Sequence, residues 1–390
     1  MAIHSQELHS IHIDKLKGLS DVNISFEGSR ITGLFGVNGC GKSTVLHALA
    51  CVYQPQKESG NKGYTFPDFF PPTTLGTWQG SKFHIVASHN NDGTSYKSIT
   101  YNFMKQTDRW AMRNTRRPIR EVFYIGVNTC IPTIETENQK SKIQVVKQKN
   151  EDVKRQDIMV AVNHILNEAY TEYSDYSNAN KKYLGVECGD LKYTAHSMGT
   201  GSQRVFKILN IIYHAPKFSL ILIDELDITL HSDALNRMID KLLEIAENRK
   251  LQIVFTSHRE QLCNRRDINI RHLLRTSGKT LCFESTTPAC LSQLTGKCPK
   301  VLSISVEDNV SKAIVEQVLR QKKARSITDV NIFGSIENSF TLASAYVLMN
   351  KTENRLILVD GDKYISEENK LDQIKKTLTG TEDSVKGKRD

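Results

Sequence analysis

Gly36, Gly39 and Gly41 precede Lys42, Ser43 and Thr44 in the run LFGVNGCGKST. This G-x-x-x-x-G-K-S spacing, between an apolar strand-like run and a helix-like one, suits phosphate binding. The glycines let the backbone N–H groups of the loop, those of Asn38 and Cys40 included, curl round phosphate oxygens, and the following helix start adds its positive dipole. Lys42 then reaches the β and γ phosphates, and the Ser43 hydroxyl ligates Mg²⁺. ATP with Mg²⁺ is the expected ligand pair.

Two acids, Asp224 and Glu225, end the apolar run LILI. Neighbouring side chains on a strand point to opposite faces, so the pair is expected to divide its work. Asp224 would hold Mg²⁺ through water, and Glu225 would orient the water that attacks the γ-phosphate. A third apolar run, IVFTS, ends at His258. A histidine there can sense the γ-phosphate and position water near Glu225. Ser197 and Gly199, in SMGTGSQ, stand just before a helical run. Small residues at a helix start make an anion site, yet the chain's own loop offers no second phosphate for them. The expectation is therefore a symmetric head-to-tail dimer, in which Ser197 and Gly199 of one chain face the nucleotide held by the other.

The elements that must position these groups are legible in part. LHSIHI, VNISF and RITGLF read as short strands, the third leading into the glycine loop, and STVLHALACVY has helical spacing. Residues 55–126 read as a small sheet carrying loops, with FHIVAS as a strand. Residues 135–190 are polar and helix-prone around IMVAVNHILNEAY, and are expected to form a helical insertion. A helix over Gly201–Tyr213, the strand SLILID, the helix DALNRMIDKLLEIAE and the strand LQIVFTS then give an α/β order with parallel strands. A second α/β pattern follows: VLSISV, VSKAIVEQVLRQ, DVNIF, NSFTLASAYVLM and RLILVDGD. The expected domains are 1–299 and 300–390, with a polar tail from Lys363.

With 390 residues and 39% hydrophobic content the chain can bury a sizeable core, which excludes a disordered or disulfide-stapled class. No apolar run is long enough to cross a bilayer, the opening MAIHSQELHS has no signal-peptide pattern, and eight cysteines then read as reduced thiols. A cytoplasmic protein without a membrane role is expected. Cys263, Cys282, Cys290 and Cys298 include no C-x-x-C pair and read as buried thiols rather than a zinc site. The 52 basic against 43 acidic residues, a net charge of +9, suit a polyanionic partner such as nucleic acid. Basic stretches at Arg109–Arg120 and Lys140–Arg155, with Trp110 and Tyr124 for stacking, could contact DNA or RNA, or could simply be solvated surface.

LFGVNGCGKST, SMGTGSQ, LILIDE and IVFTSH, in this order over residues 8–260, resemble the Walker A, signature, Walker B and switch-histidine motifs of ABC-type ATPases. Met198 and Thr200 depart from the usual signature. The opening IHIDKLKGLSDVNISFEG resembles the SMC, RecF and OLD (overcoming lysogenization defect) branch, and DELDITLHSDAL resembles the acid-rich loop of OLD-like ATPases. The resemblance implies an α/β fold: an ABC-type P-loop ATPase head with a helical insertion, followed by a small Toprim-like α/β domain. Glu307, Asp360 and Asp362 are spaced like Toprim acids, and FGSIEN from Phe333 sits at a glycine-rich turn of that family. Asp308 replaces an expected glycine and Ser311 an expected acid, which implies a degenerate domain without nuclease activity. The function so implied is that of an ATPase subunit in prokaryotic anti-phage defence, PtuA-like as in Septu or retron-linked systems. Its partner would be an HNH-type nuclease, together with DNA or retron DNA/RNA. One alternative is an OLD-like chain that is itself a Mg-dependent Toprim nuclease through those acids. Another is a RecF- or Rad50-like repair ATPase.

Overall fold

The computed structural model describes residues 3–377 apart from 92–93, 113–115, 138–141, 149–151, 179–180, 277, 288–289, 291, 293–299, 350–353, 362–363 and 365. The chain divides into two compact units, Met1–Cys290 and Leu291–Asp390.

The first unit opens with β1 (Ile3–Leu16), β2 (Leu19–Ser25) and β3 (Ile31–Phe35), and the glycine loop leads from β3 into helix α1 (Lys42–Cys51). Strands β4 (Ser81–Asn91) and β5 (Thr94–Lys105) complete an antiparallel sheet in the order β2-β1-β4-β5. After β6 (Val122–Ile125) come β7 (Val146–Lys147), α2 (Lys154–Leu166), β8 (Glu172–Asn178), β9 (Lys181–Cys188) and β10 (Leu191–Thr194). Then follow α3 (Thr200–His214), β11 (Leu220–Ile223), α4 (Ser232–Arg249), β12 (Gln252–Ser257), β13 (Asn269–Arg275) and β14 (Thr280–Phe283). The six-stranded sheet runs β14-β13-β3-β12-β11-β6, and all its pairs are parallel except β13–β14. Every residue of β3, β11 and β12 is buried. Their near-continuous apolar runs are the signature of parallel strands covered on both faces. Because these strands are parallel, the glycine loop, Asp224 and His258 all leave the same sheet edge, the carboxyl end, where open α/β sheets place their ligands.

The insertion differs from expectation. Among the described residues, 135–190 hold one long helix, α2, and an antiparallel sheet, β10-β9-β8-β7. Tyr176 pairs with Tyr183, and the missing side chain of Gly185 makes room for the Tyr176 ring, which would lie 2.2 Å from a Cβ there. β8 is polar apart from Tyr173 and Tyr176, so its sequence carries little apolar alternation, while Tyr183 and Val186 of β9 are buried. Cross-strand aromatic pairing stabilises the hairpin.

The stacking role expected for Trp110 is corrected. Trp110 stacks on Phe66 at 4.1 Å, inside an aromatic cluster with Phe70 and Phe83. Arg117 sits over the Phe66 ring at 4.8 Å, and Arg120 is 1% exposed, donating to the Phe218 carbonyl and to Gln252. Trp110, Arg117 and Arg120 are thus engaged in packing, whereas Arg109 and Arg116 are exposed. Cys263 and Cys290 are buried thiols, Cys282 is partly buried, and Cys298 lies outside the described residues. No helix among the described residues is long and apolar enough to cross a membrane.

The second unit alternates β15 (Leu302–Val306), α5 (Asn309–Gln321), β16 (Thr328–Ile332), α6 (Ile336–Leu348), β17 (Arg355–Leu358) and α7 (Glu367–Thr377). Its parallel sheet has the order β16-β15-β17, and its core gathers around Ile304, Val306, Leu319 and Val330.

Candidate nucleotide-binding site

The loop after β3 requires its glycines. Gly36 has φ 139°, and a Cβ there would lie 2.5 Å from the Leu273 carbonyl oxygen of β13. Gly41 has φ 105°, and its Cβ would lie 2.3 Å from the Leu19 side chain. Only glycine meets both the left-handed backbone and the close approach. Asn38 and Gly39 are exposed at the loop tip, while Cys40 is buried and its thiol is pushed up by that burial. Lys42 opens α1 and is 6% exposed. Its Nζ donates to the carbonyls of Gly36 at 2.8 Å and Val37 at 3.1 Å. Burial lowers its pKa, opposed by the nearby acids Glu225, Asp224 and Asp227. Ser43 and Thr44 follow, half-buried, on the first turn of α1.

Ser43 reaches across to the acidic strand. Its Oγ donates to Asp224 Oδ1 at 3.0 Å, and Thr256 Oγ1 donates to the same oxygen at 2.7 Å. Asp224 is 4% exposed, and its other oxygen accepts from the Tyr124 hydroxyl at 3.4 Å. The Tyr124 phenol is held well above its usual range by burial and by the Asp224 carboxylate. Its oxygen also shares a 3.0 Å hydrogen bond with His47 Nε2, and burial pushes His47 down to about 4. A hydroxyl and a carboxylate held together at a helix start are oxygen donors of the kind that suits Mg²⁺.

Glu225 diverges from Asp224, but strand alternation is not the cause. The strand ends at Ile223, and Glu225 takes a left-handed φ of 50°, an uncommon backbone for a residue with a side chain. Thr256 Oγ1 accepts the Glu225 N–H at 2.7 Å and so pins that step from the neighbouring strand. The Glu225 side chain stays partly exposed, 3.9 Å from His258 Nε2. That nitrogen is buried without a hydrogen-bond partner, and burial together with the Lys42 charge lowers the His258 pKa. A neutral histidine facing a carboxylate across a gap can share a water with it.

Ser197 and Gly199 are exposed at the start of α3, with Gly199 as its cap, and no hydrogen bond joins them to residues 36–44 of their own chain. Met198 is buried. The turn rests on Gln203, whose amide donates to the carbonyls of Ala195 at 2.7 Å and Met198 at 2.8 Å. Gln203 Oε1 accepts from the backbone and hydroxyl of Thr133. One turn on, Arg204 is fully buried and donates to the carbonyls of Asp224 at 2.8 Å and Ile228 at 3.1 Å. Gly201 packs so closely that a Cβ would lie 2.7 Å from the Thr229 carbonyl oxygen. The helix carrying Ser197 is thus clamped to the loop carrying Glu225. Sequence reading missed Thr256, Tyr124 as an acid partner, Gln203 and Arg204. The available signal was a polar group inside an otherwise buried run.

In the second unit, β15 and β17 are neighbours with Val306 opposite Leu358, so Glu307 and Asp360 leave adjacent strand ends. Glu307 Oε2 is buried without a partner, Asp308 caps α5 through Ser311 N at 2.7 Å, and Asp362 lies outside the described residues. Among the described residues, no group of three His, Cys, Asp or Glu side chains is placed to hold a metal.

A family model described as ABC transporter matches residues 19–91, which carry the glycine loop, and one described as AAA ATPase domain matches residues 95–262, which carry Ser197 to His258. By these matches the first unit is similar to ABC-type P-loop ATPase heads. Among curated proteins, the chain is 48% identical over 46 residues to the cytochrome c biogenesis ATP-binding export protein CcmA of Rickettsia conorii, covering 12% of this chain and 24% of that protein. It is 41% identical over 49 residues to the phosphate import ATP-binding protein PstB 2 of Enterococcus faecalis, covering 13% of this chain and 18% of that one. The chain therefore spans about a quarter or less of the curated relatives it matches. Among solved structures, the SMC head domain from Thermotoga maritima is similar with a TM-score of 0.39 and 14% identity, over 72% of this chain and 100% of that domain.

Proposed function

We propose that the ABC-type head binds ATP with Mg²⁺ and hydrolyses it between two copies of the chain. The observation that carries this reading is the joined set of Lys42, Ser43 and Asp224, with Glu225 and His258 facing each other beside it. Ser43 and Asp224 would hold Mg²⁺, which when bound neutralises developing charge on the phosphate oxygens. Lys42 would leave its two loop carbonyls for the β and γ phosphates. Glu225 orients a water for attack on the γ-phosphorus and takes its proton as the bond to the β-phosphate oxygen breaks, with His258 as second partner of that water.

The exposed Ser197 and Gly199, unbonded to their own loop, support closure by a second copy. Chains carrying Asn38→Cys mixed with chains carrying Ser197→Cys are expected to form a disulfide between chains only when ATP is present. Wild type, with its native cysteines alone, gives the background. Crosslinking independent of ATP, or none, would refute the closed dimer.

The finer reading is a cytoplasmic ATPase subunit of anti-phage defence, OLD-like or PtuA-like, acting with an HNH-type nuclease on DNA or retron DNA/RNA. The motif order and the acid-rich loop DELDITLHSDAL support it. The second unit is read as Toprim-like and degenerate. Supporting this, Asp308 and Ser311 are bonded to each other as a helix cap. The chain purified alone is therefore expected to leave plasmid and linear DNA intact in Mg²⁺ or Mn²⁺, and to cut only with its partner. Metal-dependent nicking by the chain alone, lost in Asp360→Ala, would make the second unit the nuclease. A RecF- or Rad50-like repair ATPase is the weaker reading, because among the described residues the segment between β6 and α3 builds a compact sheet with one 13-residue helix and no coiled coil.

A further inference from the structure

Behind the turn at Ser197 lies a cavity of about 340 Å³, bounded by α3, the hairpin β8–β9 and the short helical turn at Thr133–Thr136. This volume falls in the range of ligand clefts, about 300–1,000 Å³. Gln203 and Ala195 form part of its wall. They belong to the turn that carries Ser197, so whatever fills the cavity touches the groups that fix that turn.

Two lysines and two carboxylates line the cavity, and the lysines are not paired with those acids. Lys207 and Lys182 both line it, and neither has a hydrogen-bond or carboxylate partner among the described residues. Lys207 is half-buried, and that burial lowers its pKa. A partly desolvated ammonium without a counter-ion is unfavourable, and an anion beside it removes that cost. The acids nearby are already engaged. Glu137 accepts from Lys181 at 3.0 Å, Tyr183 at 2.9 Å and His196 at 3.4 Å, and Asp175 is paired with Arg155. Part of the remaining wall is aromatic: Tyr173 and Tyr183 line the space beside Leu184 and Asn210, with Phe206 against Tyr173 at 4.9 Å between ring centres and the Arg155 guanidinium over that ring at 4.7 Å. Ring faces and ammonium groups together recognise a small molecule that has both an aromatic ring and a negative charge.

We propose that this cavity binds a small aromatic anion, its ring against Tyr173 and Tyr183 and its charge at Lys207 and Lys182. A mononucleotide and an aromatic carboxylate share that chemistry. Binding itself does not depend on the proposed ATP site, and only its effect on turnover rests on that reading, through Gln203 and the position of Ser197.

The test uses the full chain carrying Lys42→Ala, so that the glycine loop does not compete. Adenosine monophosphate, uridine monophosphate and benzoate are titrated by calorimetry, with inorganic phosphate as the ring-free control. Saturable binding of at least one aromatic probe is expected, one per chain, with phosphate much weaker. Adding Lys207→Gln should weaken it about tenfold, or 1.4 kcal/mol, while Lys207→Arg, which keeps the charge, should retain it. Preference for the monophosphates over benzoate, or the reverse, identifies the source of the anion. The proposal is overturned if no aromatic probe saturates at millimolar concentration, or if a folded Lys207→Gln chain binds as tightly as its parent. ATP turnover by the wild type without probes is measured separately. Its absence would sink the nucleotide reading and leave this binding result standing.

Discussion

Lys42→Ala is expected to abolish ATP binding, whereas Glu225→Gln is expected to keep ATP bound and lower turnover by about 10²–10⁴-fold, the usual contribution of a positioned general base. The two changes separate because the groups do different work. Lys42 supplies a buried positive charge at the loop centre, already aimed at the Gly36 and Val37 carbonyls, and no other lysine or arginine side chain is bonded to that loop among the described residues. Glu225 stands off the Ser43–Asp224 pair on its own left-handed step, so replacing its carboxylate with an amide leaves the Mg²⁺-facing oxygens untouched. Binding of a fluorescent ATP analogue and release of phosphate should be measured on both variants. Glu225→Gln hydrolysing ATP at the wild-type rate would remove Glu225 from the role assigned to it. His258 stands 3.9 Å away, and burial with the Lys42 charge disfavours the protonation that accepting the proton in its place would require.

What was legible in the sequence is what a short stretch of chain determines by itself. Gly36 and Gly41, the helix from Lys42, and acids or a histidine ending apolar strands are local patterns, and the sheet order brings their ends to one edge. Thr256 is different. Its hydroxyl matters because β12 lies beside β11 in the register that pairs Phe255 with Ile223, a fact of sheet order that no local spacing encodes. By local pattern Tyr124 is only an aromatic that could stack on a base or sit at the surface, since the pairing of β6 with β11 is what aims its hydroxyl at Asp224. The insertion was misjudged for a different physical cause. A strand such as β8, polar apart from its tyrosines, carries little period-2 apolar signal, and the lysines, glutamates and asparagines around it read equally well as a solvated helix.

Arg204→Met is expected to lower stability by about 3 kcal/mol and, at temperatures where the variant is still folded, to reduce turnover well below wild type. Each hydrogen bond from a charged donor contributes about 1.5–3 kcal/mol, and methionine keeps the packing volume while leaving two buried carbonyls, those of Asp224 and Ile228, without this donor. Those carbonyls flank the step at Glu225, whose left-handed backbone persists only while its surroundings over-determine it. With the guanidinium gone, Thr256 alone constrains Glu225 from the side of β12, and the carboxylate should sample more positions relative to His258. ATP affinity should change little, because Lys42 and Ser43 hang from α1 and not from α3. Arg204→Lys gives the sharper test. It keeps the charge but lacks the planar fork that reaches two carbonyls at once, so partial recovery of stability without recovery of turnover is expected. Denaturant midpoints, ATP affinity and phosphate release should be compared across the three chains. A variant that loses stability yet turns over ATP at the wild-type rate would reduce Arg204 to a structural clamp with no bearing on the position of Glu225.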